Sequence, residues 1–107
     1  MTPRGPAKRL TRSAPTDAIV VLRLYVAGTS VRSSRAIHNA KQLCEEHLAG
    51  RYALEVIDIF QQPSRAKEDQ ILAVPTLIKR LPAPLKRFVG DLSDRDVVLG
   101  GLLLKRK

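Results

Sequence analysis

The chain has 107 residues, 44% of them hydrophobic, and 19 Lys and Arg against 10 Asp and Glu give a formal net charge of +9. That length provides one domain with one modest core, and with only Tyr25, Tyr52, Phe60 and Phe88 as aromatics the packing falls to aliphatic side chains. A single cysteine, Cys44, excludes an internal disulfide framework and a Cys-rich metal site, which suits a reducing cytoplasm.

The charge is unevenly placed. Residues 1–17 carry +3 and Lys105–Lys107 carry another +3, so only +3 remains on residues 18–104. Residues 1–17, rich in Pro, Arg, Ser and Thr, read as a disordered basic arm, 18–104 as the folded domain and 105–107 as a basic tail. Basic tails attract nucleic acid non-specifically. Nucleic-acid modules, however, interleave aromatics with their basic residues, and this chain does not, so that role is disfavoured. The longest apolar run, AIVVLRLYVA at 18–27, contains Arg23 and falls far short of the ~20 residues a membrane span needs. The expectation is a soluble, cytoplasmic protein that makes no membrane contact.

Ala18 to Ala27 is β-branched and apolar, bounded by Gly28, and reads as a buried strand. Thr29–Ser34 reads as a polar loop, with Ser33 or Ser34 capping the helix that follows. In that helix Ile37, Ala40, Leu43, Cys44 and Leu48 share one face, and Gly50 ends it. Tyr52 to Phe60 is a second strand. Pro63 suits the first turn of a short helix, Ser64–Leu72, whose charged residues face solvent. This order predicts a βαβ unit with two parallel strands.

The next stretch, AVPTLIKRLPAPLKRFVGDL, fits two templates. As strands, TLIKR and LKRFV flank LPAP in a hairpin, which brings Lys79-Arg80 close to Lys86-Arg87 and sets like charges together. As helix, Ile78, Leu81, Leu85, Phe88 and Val89 recur at spacings of three and four, but Pro82 and Pro84 forbid a continuous run. Ser93-Asp94-Arg95-Asp96 then forms a capping-box start for an apolar helix through Leu103, which Gly100 and Gly101 weaken by up to ~1 kcal/mol each.

A βαβα unit followed by a hairpin and a helix is the thioredoxin-like plan, and Val74-Pro75-Thr76 looks like its cis-proline corner. Thioredoxins place a C-x-x-C pair at the start of the first helix, where the helix dipole lowers a thiol pKa. This chain has Thr29-Ser30-Val31-Arg32-Ser33-Ser34 there, without a thiol, and Cys44 lies on the apolar helix face. His38 and His47 lack metal-ligand spacing, and Ala27-Gly28-Thr29-Ser30 lacks the Gly-Lys-Ser/Thr of a phosphate-binding loop. No catalytic constellation emerges and no cofactor is implied.

The segments LYVAG (24–28), YALEVID (52–58), EDQILAVPTL (68–77), LPAP (81–84) and GDLSDR (90–95) resemble the KaiB family of circadian clock proteins from about Val20 to Leu104. The resemblance implies a non-enzymatic adaptor that binds the ring-shaped ATPase and kinase KaiC, with KaiA-like or histidine-kinase proteins as further partners. It also implies a switch between a thioredoxin-like monomer and an alternative fold found in homotetramers, with the C-terminal half rearranged, so a homo-oligomer (dimer or tetramer) is expected. Carried over by position, Arg35, Ala53, Glu68, Asp69, Gln70 and Lys79 fall on the partner-contact surface, with residues 68–72 as a helix. Pro75, Pro82, Pro84, Gly90, Asp91 and Gly101 fall on the loops of the fold switch. Gln70 and Glu55 stand where many members carry Lys, and the family's terminal GLDLL is GLLLK here. A relative working in stress or signalling without a clock is the alternative, with a basic nucleic-acid module further off.

Overall fold

The computed structural model describes residues 19–103; the basic arm expected at 1–17 and the tail expected at 105–107 lie outside the described residues. The elements are β1 (Val20–Val26), α1 (Val31–His47), β2 (Tyr52–Asp58), α2 (Pro63–Glu68), β3 (Thr76–Leu81), β4 (Lys86–Val89) and α3 (Arg95–Leu103). They build one four-stranded sheet in the order β2-β1-β3-β4, with β1 parallel to β2 and the other neighbours antiparallel.

β1 is the central strand, and its side chains alternate between two different environments. Val20, Leu22, Leu24 and Val26 join a core with Ala36, Ala40, Leu43, Cys44 and Leu48, and with Val98 and Leu102 from α3. Tyr25 turns the other way, into a smaller cluster with Ile57 and Ile78 that Ala66 and Ile71 partly cover. The apolar core therefore lies between the sheet and α1 with α3, while α2 covers only part of the opposite face.

α1 starts earlier than the sequence predicts. Ser30, not Ser33 or Ser34, is the cap: its hydroxyl accepts from the Ser33 N–H at 3.1 Å. Ser33 is buried inside the first turn, and its hydroxyl accepts from the Ala27 N–H at 3.0 Å, stitching the helix to the end of β1. The expected loop through Ser34 is thus mostly helix, because a serine bound to the strand is not available as a cap. The apolar face of α1 is as predicted, with Ala36 joining it where helix and sheet meet closely. Gly50 adopts φ +76 after the helix, and the Val20 N–H donates to the Arg51 carbonyl at 2.8 Å as the chain returns to the sheet.

β2 stops at Asp58, two residues short of the predicted end. The Asp58 carboxylate accepts from the Phe60 N–H at 2.9 Å, a side-chain turn that diverts the backbone from the ladder, and Phe60 is left 73% exposed. α2 begins at Pro63 as expected but ends at Glu68, not Leu72. Asp69 terminates it and Gln70 takes φ +54, a conformation that closes a helix.

The ambiguous segment is a hairpin. Thr76↔Val89, Leu77↔Phe88, Ile78↔Arg87 and Lys79↔Lys86 are cross-strand pairs, and β3 also pairs with β1 through Leu77↔Leu24 and Ile78↔Arg23. A strand here satisfies backbone groups on both sides of β3, which an isolated short helix interrupted by prolines cannot do. The Val74–Pro75, Leu81–Pro82 and Ala83–Pro84 bonds are cis, so the cis-proline corner expected at Pro75 is present.

α3 begins one residue later than the capping-box pattern suggests. The Asp94 carboxylate accepts from the Val97 N–H at 3.4 Å, while the Ser93 N–H is turned back to Asp91 Oδ1 at 3.1 Å. Gly100 borders open space, but a Cβ on Gly101 would lie 2.3 Å from the Phe88 ring. Gly101 is therefore a packing requirement of α3 against β4, and only Gly100 is a plain helix weakener.

Candidate functional site

The residues expected to contact a partner divide between the two sides of the sheet. Ala53 is exposed on β2, and its neighbours along the α2 face are Glu55 and Ile57. Glu68 is exposed at the end of α2, and Gln70 is exposed in the turn after it. Arg35 is exposed on α1, 3.7 Å from the Asp91 carboxylate on the far side. Lys79 is not at the surface at all. It is 0% exposed on the core side of β3, between Leu22 of β1 and Lys86 of β4.

Asp69 also departs from the expectation of a solvent-facing acid, since its side chain is 10% exposed. Oδ2 accepts from Arg23 Nη1 at 2.9 Å and from the Tyr25 hydroxyl, and Oδ1 accepts from Arg80 Nη1 at 2.8 Å. Arg87 Nη2 donates to the Asp69 carbonyl at 2.6 Å. The Tyr25 hydroxyl also lies 3.1 Å from the Arg65 carbonyl. Burial works to raise the Asp69 pKa, but the bonds from Tyr25 and Arg23 and the charge of Arg80 outweigh it and hold the carboxyl below its ordinary value. Beside this knot Arg65 makes a two-pronged pair with Glu55, which lowers the Glu55 pKa.

The sequence reading missed Arg23, Tyr25, Arg65, Arg80 and Arg87 as a group. One signal was available: Arg23 interrupts an apolar strand two residues before Tyr25, which puts both on one face. The convergence of β3 and β4 on that face was not visible without the register.

Along the outer edge of the knot, Ala66, Lys67, Gln70, Ile71, Leu72 and Arg87 line an open hollow of about 610 Å³. Leu72 is 98% exposed, and Phe60 also stands in solvent beyond the ends of the strands. Apolar side chains flanked by Lys67 and Arg87 form a surface suited to a partner's apolar and acidic groups.

The residues expected at the loops of a fold switch lie at the open end of the β3–β4 hairpin, at its tip and, for Gly101, in α3. Pro75 is buried, and its carbonyl accepts from the Gly90 N–H at 2.9 Å. Gly90 has φ +115, a conformation open to glycine and strained for other residues. The Asp91 carbonyl accepts from Asn39 Nδ2 at 2.7 Å, and hydrogen bonds from Ser93 lower the Asp91 pKa. Pro82 and Pro84 occupy the hairpin loop, and Gly101 meets the Phe88 ring as described above.

At the start of α1, where a thioredoxin holds its thiols, this chain has Ser30, Val31, Arg32 and Ser33. Cys44 is buried, and burial pushes its thiol up to about 11, so it is a protonated packing residue at neutral pH. Among the described residues no group of three or more His, Cys, Asp or Glu could hold a metal ion, and no helix is long and apolar enough to cross a membrane.

Comparison with solved structures fixes the fold as thioredoxin-like. The N-terminal domain of Synechococcus elongatus SasA matches with a TM-score of 0.71 at 23% identity, over 96% of this chain and 97% of that one. Chloroplastic thioredoxin z matches with a TM-score of 0.64 at 20% identity, over 78% of each chain. Sequence comparison is more specific. The circadian clock protein KaiB3 of Synechocystis sp. is 52% identical over 83 residues, covering 78% of this chain and 81% of that protein. The circadian clock oscillator protein KaiB of Prochlorococcus marinus subsp. pastoris is 54% identical over 82 residues, 77% of each. A family model described as the KaiB domain matches residues 23–104, which takes in every strand and helix after the first three residues of β1, and the chain belongs to the KaiB family.

Proposed function

We propose that this chain is a non-enzymatic timing adaptor of the cytoplasm that binds a KaiC-type ATPase ring and modulates its phosphorylation cycle. The observation that carries the reading is the family match over residues 23–104, joined to relatives named as circadian clock proteins at about half identity. The chemistry of the chain agrees with it. A thioredoxin-like frame whose first helix begins Ser-Val-Arg-Ser, with its one described thiol buried and protonated, has no redox nucleophile and is left with its surfaces.

The binding surface is the α2 side of the sheet: Ala53, Glu68, Gln70 and the hollow along Leu72, while Arg35 on α1 lies across the sheet and would meet a partner only around its edge. KaiA-like or histidine-kinase proteins are further partners of the same adaptor. The alternative arrangement, a homo-oligomer with residues 73–104 refolded, is in equilibrium with the thioredoxin-like form. The partner selects the latter, so the apparent affinity is the intrinsic one reduced by the fraction in the competent form.

The test is a pull-down and a titration with a KaiC-type ring, with ATP and without. Stoichiometric binding and an altered phosphorylation time course are expected. A chain that stays monomeric and thioredoxin-like in sedimentation and spectroscopy yet never binds such a ring would overturn the reading.

A further inference from the structure

Residues 69–72 form the exposed turn between α2 and β3, and three features hold that turn in place. Two are local: the Gln70 N–H donates to the Lys67 carbonyl at 3.0 Å and the Ile71 N–H to the Ala66 carbonyl at 2.9 Å. The third is Asp69, which reaches out of the turn to three different strands. It binds Arg23 and Tyr25 on β1, Arg80 on β3 and, through its carbonyl, Arg87 on β4.

These partners are not equivalent. Arg23 and Tyr25 lie on the central strand, whose neighbour β2 is fixed by the parallel βαβ unit. Arg80 and Arg87 lie on the two arms of the hairpin, and both face Asp69 only because of the register that pairs Ile78 with Arg87 and with Arg23. A slip of one residue on either arm would turn its arginine to the other face of the sheet, since side chains alternate with period two. Asp69 would then keep its β1 contacts and lose its hairpin contacts.

We infer that Asp69 is a positioning residue rather than a contact residue: it holds the Gln70–Leu72 turn in its presented shape and makes that shape conditional on the β3–β4 register. Gln70, Ile71 and Leu72 line the hollow beside α2, and Leu72 is the side chain standing fully in solvent. A partner that docks on this turn therefore reads the state of a hairpin that it need not touch. Arg87 serves twice, since it also lines the hollow and so gives the hairpin a direct place on the same surface. The inference rests on the adaptor reading for its binding consequence, but its structural half stands alone.

The test uses the full chain and two readouts. In Asp69→Asn the carboxylate's charge is lost at constant shape, and hydrogen exchange at the Gln70 and Ile71 amides is expected to speed up about tenfold or more while the β1 amides keep their protection. Arg80→Gln removes the hairpin arm alone and is expected to give the same local loosening, with Arg80→Lys restoring much of the protection, because a cation again reaches Oδ1. If Asp69→Asn fails to fold, the Arg80 pair carries the test unaided. Unchanged exchange at Gln70 and Ile71 in Arg80→Gln, or equal loss of protection along β1, would overturn the inference. The second readout is titration with a KaiC-type ring, in which Asp69→Asn and Arg80→Gln are expected to weaken binding about tenfold, a factor set by the strength of a hydrogen bond to a charged group. Wild-type affinity in variants whose turn has loosened would overturn the positioning role. Failure of the wild-type chain itself to bind the ring would fall on the adaptor reading, and the exchange result would remain.

Discussion

The two faces of the sheet are built on opposite principles. The face under α1 and α3 is aliphatic and closed, and stabilises the fold through burial. The face under α2 has a small apolar patch around Tyr25 and is otherwise held by arginines gathered on Asp69 and Glu55. Burial is non-directional and tolerates small shifts, whereas the ionic knot depends on which side chain faces which. The apolar face thus gives the domain its stability, and the charged face makes the domain sensitive to strand register. One residue breaks this division. Lys79 places an ammonium in the closed face, and its Nζ has no hydrogen-bond partner among the described residues.

Leu24→Ala is expected to have the largest effect. Leu24 is wholly buried at the centre of the closed face, and its truncation is expected to cost about 2–5 kcal/mol in chemical denaturation. A cost under about 1 kcal/mol would mean that α1 and α3 do not supply the main core.

Lys79→Met is the next in size and opposite in sign. Met keeps the aliphatic stem and removes a buried polar group with no partner, so a gain of about 1–3 kcal/mol is expected. Across the strands Lys79 sits between Leu22 of β1 and the like charge of Lys86 on β4, on the side of the sheet that carries the aliphatic core, and no acidic group among the described residues pairs with it. Burial first, and Lys86 second, lower the Lys79 pKa below the ordinary value of 10.5. Between the lowered value and 10.5 the unfolded chain holds a proton that the folded chain has released, so stability rises with pH across that window. Below the window both states are charged and the full penalty applies. Denaturation at a series of alkaline pH values should show this slope in the wild type and lose it in Lys79→Met. An identical slope in both would remove Lys79 as its source.

Glu55→Gln on the other face is expected to have the smallest effect. Its pair with Arg65 is two-pronged but half in solvent, and a change of about 0.2–1 kcal/mol that shrinks at high salt is expected. A salt-insensitive loss well above that range would mean that the charged face also carries the stability of the fold.

Much of the architecture was legible in the chain itself. A first strand within 18–27, observed at 20–26, the apolar stripe of α1, the return strand from Tyr52 and the proline at the start of α2 all follow from periodicity and local backbone preference. The missed boundaries fall where a polar side chain bonds to something other than the group expected of it, sometimes across the fold and sometimes two residues away. Ser33 bonds to Ala27 and leaves the cap to Ser30. Asp58 turns the chain before Phe60, and Asp69 ends α2 by reaching for Arg23 and Arg80. Of the residues expected at a partner surface, Ala53, Glu68 and Gln70 lie exposed on one side of the sheet and Arg35 on the other, whereas Lys79 and Asp69 do not face solvent, which only the strand register reveals.

The family, the order of the elements and the lack of a thiol at the start of α1 could all be read from contiguous residues. The choice between helix and hairpin at residues 76–89 was made by packing, because β1 offers β3 a set of backbone partners that no local preference can anticipate. The same register decided the fate of two charges of opposite sign. It turned Lys79 into the core and drew Asp69 to the arginines, and alternation along a strand has no meaning until its neighbour is known.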